Sequence, residues 1–117
     1  YHSFHQSRWD LFAEYAWRAY SMKPSLAEYK LFAGIAAYQQ KEPDKAIELL
    51  EDIEPSELNP LQELYRLTVL ERTWAAKDPE KSTNYNAQKR AILDKYDAHV
   101  YYRKEIAPLF EELDTKK

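Results

Sequence analysis

The stretch AGIAAYQQKEPDKAIELL, residues 33–50, holds the one glycine of a 117-residue chain, and its neighbours place Gly34 inside a helix rather than in a turn. Residues 26–40 are almost wholly apolar within. Pro43, flanked by Glu42 and Asp44, reopens the chain as a further helix to about Ile53. There Ala46, Ile47, Leu49, Leu50 and Ile53 face opposite Lys45, Glu48 and Asp52, an amphipathic pattern. A glycine in a helix interior costs roughly 1 kcal/mol relative to alanine. Its presence is explained if Ala33, Gly34, Ala37 and Ala46 let two helix axes approach closely.

Working outward, one glycine and six prolines argue against a sheet-rich fold, whose tight turns draw on glycine. The prolines at 24, 43, 55, 60, 79 and 108 divide a helical chain. A first helix over about 6–22 has a polar stripe of Asp10, Glu14, Arg18 and Ser21, with Trp9, Phe12, Ala13, Ala16, Trp17 and Tyr20 around the rest. Trp9 and Trp17 share one face and Leu11, Tyr15 and Met22 lie on another, and in so small a domain one of the two is left without internal cover to bind a partner. Ser25 and Glu28 have the spacing of a capping box for the helix over 26–40. Asn59, Pro60 and Gln62 supply the cap, first-position proline and third-position acceptor of a helix to about Ala76, with Trp74 packed near its end. The polar stretch KDPEKSTNYN, residues 77–86, reads as a loop with one helical turn after Pro79. Beyond it Ile92, Tyr96, Val100, Ile106, Phe110 and Leu113 recur at helical spacing, with Pro108 kinking or splitting the segment. The expectation is one all-α domain over 1–117, of about five to six helices stacked as antiparallel hairpins, with a frayed DTKK tail.

Composition narrows the function classes. Hydrophobic residues at 44% suffice for a core, and 32% charged residues keep the surface wet. A net charge of −3 offers no general attraction to nucleic acid or anionic lipid. The most apolar run, LFAGIAAY, is followed at once by Gln39 and Lys41, well short of the ~20 residues of a membrane span. No cysteine is present, which removes thiolate nucleophiles and Cys-based metal sites. The chain opens at Tyr1 without methionine, consistent with removal of a targeting or upstream segment, and the compartment is unreadable.

Helix pairs with proline after the second helix prompt a search for a repeat near 34 residues. With Pro24 closing one repeat, Gly34 and Ala46 fall at the small-residue positions of the next, and Ala19, five before Pro24, fits the one before. The segment 9–76 thus resembles a tetratricopeptide repeat, with residues 84–114 as a helical cap. The match departs from the pattern at Lys30, where the family often has Trp, at Ala33 for Leu, at Ala37 for Tyr and at Leu58 for the closing Pro. The resemblance implies a concave face that binds proteins, formed by Leu31, Ile35, Tyr38 and Gln39 from one pair and Tyr65, Val69, Arg72 and Thr73 from the next. Most of these could equally be core. Leu31 and Ile35 stand where family members that grip acidic peptide tails carry Lys and Asn, so the expected ligand is an apolar segment or partner helix.

Chemistry has thinner support. His2 and His5 share a helix face but make two ligands where zinc wants three or four, and His99 is alone. Glu48, Glu51, Asp52, Glu54 and Glu57 read as a solvated acidic surface. Over 41–60 two basic residues meet seven acidic ones, net −5, whereas 77–104 carries net +3 with seven basic against four acidic. Such a dipole can orient the molecule against a charged partner. Tyr101, Tyr102, Arg103 and Lys104 mix aromatics and cations as single-strand binders do, against the grain of the overall charge. No phosphate loop, nucleophile elbow or cofactor motif occurs. The expected function is a non-catalytic protein-interaction module or a subunit of a larger assembly, with no cofactor; the alternative is a ligand-binding or enzymatic domain with a pocket between helices.

Overall fold

Four prolines, Pro43, Pro55, Pro60 and Pro79, stand at the first position of a helical segment, where φ is already suitable and the absent N–H costs nothing. The computed structural model describes residues 8–115, with side chains from 10 to 111, and among these the fold is all-α. Helices α1 (Arg8–Met22), α2 (Ala27–Gln39), α3 (Pro43–Glu51), α4 (Pro60–Ala75) and α5 (Pro79–Lys95) follow one another through short connections. A 3₁₀ turn at Pro55–Glu57 lies between α3 and α4. The sixth, α6, runs without interruption through His99–Tyr101, a π turn at Tyr102–Ile106, and Ala107–Thr115. Sequence neighbours pack together, α1 on α2, α2 on α3 and α4 on α5, and α2 also meets α4.

The packing between α2 and α3 is as the glycine implied. Ala33, Gly34, Ala37 and Ala46 are all buried. A Cβ added at Gly34 would lie 2.5 Å from Leu50 Cγ, inside the ~3.5–4.0 Å of ordinary carbon contact. On the other side of α2, Ala13 and Ala16 of α1 meet Ala36, flanked by Phe12, Trp17 and Phe32. Around these seams Leu31, Ile35, Leu50, Ile53, Leu64, Val69, Leu70, Leu93, Ile106 and Phe110 form the main core. Each such side chain contributes roughly 1.5–3 kcal/mol when fully buried.

Helix ends show where local rules held and where they did not. At α4 the capping box is complete: Gln62 N–H donates to Asn59 Oδ1 at 2.8 Å, and Asn59 N–H donates to Gln62 Oε1 at 3.0 Å. At α2 the expected Ser25 cap is absent. Leu26 N–H donates to Lys23 O at 3.2 Å, which draws Ser25 into a turn and leaves Leu26 at the cap position without a side-chain bond. Helices α2 and α5 both close with a residue in the left-handed region, Lys41 at φ 63° and Asp97 at φ 52°. The next amides reach back six residues inclusive, Glu42 N–H to Ala37 O and Ala98 N–H to Leu93 O, both 2.9 Å.

Two expectations on the C-terminal half are corrected. Residues 79–86 are not loop but the first half of α5, started by Asp78, whose side chain accepts from Glu80 N–H, and by Pro79. Of the two effects read for Pro108, a kink or a split, the split is excluded. The break falls at Asp97, and Pro108 sits within α6 just beyond the π turn, where Ala107 N–H reaches back to Tyr102 O. That wider turn relieves the clash a proline ring makes with the carbonyl four residues before it. Tyr96 and Val100, part of the apolar spacing, are about half exposed at 51% and 53%. The start of the first helix before Arg8, the side chains of Trp9 and Leu113, and the His2–His5 pair lie outside the described residues.

Candidate functional site

The eight residues expected to form a partner-binding face are gathered between α2 and α4, and most are covered. Val69 and Thr73 belong to the interior of α4, and Thr73 Oγ1 donates to Val69 O at 2.7 Å. Leu31 and Ile35 are 1% and 6% exposed. What covers the face is the chain's own α6. Phe110, fully buried, meets Tyr38 edge-on and Tyr65 at a tilt, each with ring centroids 6.1 Å apart. Arg72 lies over the same ring at 5.7 Å and its Nε donates to Tyr38 Oη at 3.1 Å. Gln39 Oε1 is buried without a hydrogen-bond partner among the described atoms.

Polar contacts hold α6 and α5 in place. Glu71 of α4 receives Lys89 Nζ at 2.5 Å and Asn86 Nδ2 at 2.8 Å, while its carbonyl receives Ser82 Oγ at 2.8 Å. Lys89 also donates to Tyr102 Oη at 3.0 Å, which pairs with Thr68 Oγ1 at 3.3 Å. Burial of Lys89 disfavours its charge, but the bonds to Glu71 and Tyr102 outweigh this and raise its pKa. These groups satisfy one another, so they brace the helices. Glu63 and Arg66 form a second buried pair at 2.7 Å, with Arg66 Nε donating to Leu50 O at 2.8 Å. Desolvation raises the Glu63 pKa against the pull of Arg66, and Glu63 Oε1 has no partner among the described residues.

The five clustered carboxylates of 48–57 are exposed, as a solvated acidic surface requires. Glu51 has a structural task as well, accepting from Trp74 Nε1 at 3.0 Å and Tyr85 Oη at 2.7 Å and so joining α3, α4 and α5. Asp52 pairs with Lys30 at 2.6 Å and Asp44 with Lys77 at 2.9 Å, which reduces the charge contrast seen along the sequence. His99 Nε2 lies 2.5 Å from Asp94 Oδ1 at the α5–α6 corner. Tyr101, Arg103 and Lys104 are exposed, but Tyr102 turns inward.

Two open apolar features remain. The first is the outer face of α1, where Leu11, Tyr15 and Met22 are 51%, 54% and 73% exposed, with Leu26 beyond them at 41%. The second is a cavity of about 400 Å³ framed by four helices: Phe12 from α1, Leu31, Phe32 and Ile35 from α2, Leu61, Gln62 and Tyr65 from α4, and Leu109 and Phe110 from α6. Sequence reasoning found Leu31, Ile35 and Tyr65 of this set. It missed Phe12, Phe32 and Leu61 because periodicity assigns each to a helix face without saying which faces meet. Among the described residues no helix is long and apolar enough to cross a membrane. Compared with protein-family models, curated proteins and solved structures, the chain has no significant match.

Proposed function

We propose that this domain is a non-catalytic interaction module or assembly subunit, tetratricopeptide-like in its helix pairs, which docks a protein partner on the outer face of α1. The observation that carries the reading is the exposed run of Leu11, Tyr15 and Met22. They recur at four and seven residues along one helix, the spacing by which one helix lies along another. In a stack of helical hairpins each unit contacts only its neighbours, and an end helix needs a polar outer face to stay soluble. Here the first described helix exposes Leu11, Tyr15 and Met22 beside its polar stripe of Asp10, Glu14, Arg18 and Ser21, so that apolar edge suits continuation of the stack by another helical protein.

The face between α2 and α4 is a weaker choice because α6 fills it through Phe110. Changing Leu31 or Ile35 would test folding rather than binding. The informative experiment places a photo-crosslinking residue at Tyr15 and, as a control, at exposed Arg90 on α5, in cells of the native source. The expected result is a discrete protein adduct from position 15, absent at 90 and lost with Leu11→Asp, whose circular dichroism stays helical. Equal crosslinking from both positions, or an adduct indifferent to Leu11→Asp, refutes the assignment.

A further inference from the structure

We infer that the cavity between α1, α2, α4 and α6 is a binding site for a small, neutral, hydrocarbon-rich molecule carrying at most two hydrogen-bonding groups. Its volume of about 400 Å³ lies in the range of small-ligand pockets. A compact organic molecule of one or two rings is of this scale.

The lining selects the charge of the occupant. Of the nine described side chains that line it, seven are hydrocarbon and none is charged at neutral pH. Gln62 has its amide oxygen engaged by the α4 capping box. Its NH2 is left as a donor, and Tyr65 is the other polar side chain, half-buried beside Phe110; burial followed by the nearness of Tyr101 and Glu105 raises its pKa, so its hydroxyl stays neutral. An anion placed here would lose its hydration without an opposite charge to replace it. An apolar body filling the cavity loses nothing of that kind, and one hydroxyl or carbonyl on it has Tyr65 Oη to meet.

The test uses 1-naphthol, neutral at pH 7, and 1-naphthoate, of similar size and charged, titrated into the full chain by calorimetry with amide chemical-shift mapping. Naphthol is expected to bind one to one with shifts around Phe32, Leu61 and Tyr65, and naphthoate at least tenfold more weakly. Leu61→Trp, at a position 40% exposed and tolerant of bulk, should abolish naphthol binding with helicity intact. Tyr65→Phe should weaken naphthol severalfold and leave naphthalene unchanged. The inference is overturned if naphthol fails to saturate up to its solubility limit, if naphthoate binds as tightly, or if Leu61→Trp has no effect. Shifts confined to Leu11, Tyr15 and Met22 would also overturn it, by moving the probe to the α1 face. Met22→Asp, at a position 73% exposed, should leave naphthol binding unchanged, so a failure here does not touch the partner reading.

Discussion

Replacing Gly34 by alanine removes a poor helix former, and by helix propensity alone should stabilise the protein by roughly 1 kcal/mol. The structure predicts the opposite sign. The new Cβ would sit 2.5 Å from Leu50 Cγ, at least about 1 Å inside carbon contact. Leu50 is fully buried, so it has no free space to retreat into. Overpacking of this kind costs about 1–3 kcal/mol. With two atoms of Leu50 in the way the upper half of that range applies, and the net loss is about 1–2 kcal/mol. Urea denaturation followed by far-ultraviolet circular dichroism, with an unchanged slope, measures it. The decisive arm is the double variant. Leu50→Ala alone should cost about 2–5 kcal/mol. In that background Gly34→Ala meets an emptied site, so its penalty should vanish and the propensity gain emerge. A coupling above about 0.5 kcal/mol is the expected signature. A single Gly34→Ala variant as stable as the parent, or two strictly additive changes, would refute the close-packing account.

Lys41→Gly should stabilise by about 1 kcal/mol and raise Tm by a few degrees, because Lys41 occupies φ 63°, where a Cβ is strained. Gln40→Gly, at φ −87°, should destabilise, and a gain at 40 equal to that at 41 would sink the explanation. Tyr85 predicts an alkaline effect: burial, then its hydrogen bond to Glu51, push its pKa up to about 12 from an ordinary 10.0. Because the folded value is the higher, the stability it contributes is complete below pH 10 and lost as pH rises through about 12. Tyr85→Phe should cost about 0.5–1.5 kcal/mol at pH 7 and progressively less across that window; denaturation curves with a constant difference would contradict it.

Legibility in the sequence tracked how local the signal was. The start of α4 was readable because the cap Asn59, Pro60 and the acceptor Gln62 lie within four residues, and that of α3 because Pro43 stands at its first position. The first half of α5 was missed because it has no apolar stripe. Ser82, Asn86 and Lys89 bind it to Glu71, and Tyr85 binds it to Glu51, through polar tips that hydrophobic periodicity does not register. Asp78–Pro79 was the available signal, the same cap-and-proline pair that marks α4. Occupation of the α2–α4 face by α6 was not legible at all, since Phe110 meets Tyr38 and Tyr65 across separations of 72 and 45 residues.

The placement of the glycine itself ranks the forces at work. Two positions among the described residues have a backbone conformation that glycine adopts freely, and they are filled by Lys41 and Asp97. The one glycine stands instead at a helical position whose backbone any residue could adopt. The left-handed cost at a helix end is about 1–2 kcal/mol and asparagine or aspartate reduces it locally, whereas a collision with a buried leucine has no local remedy and must be relieved by moving a helix. Moving α3 away from α2 would displace Glu51, to which Trp74 and Tyr85 are bonded, and Leu50 O, which receives Arg66. The spacing at residue 34 therefore sets the position of α4 and α5 as well, and with them the wall of the cavity formed by Leu61, Gln62 and Tyr65.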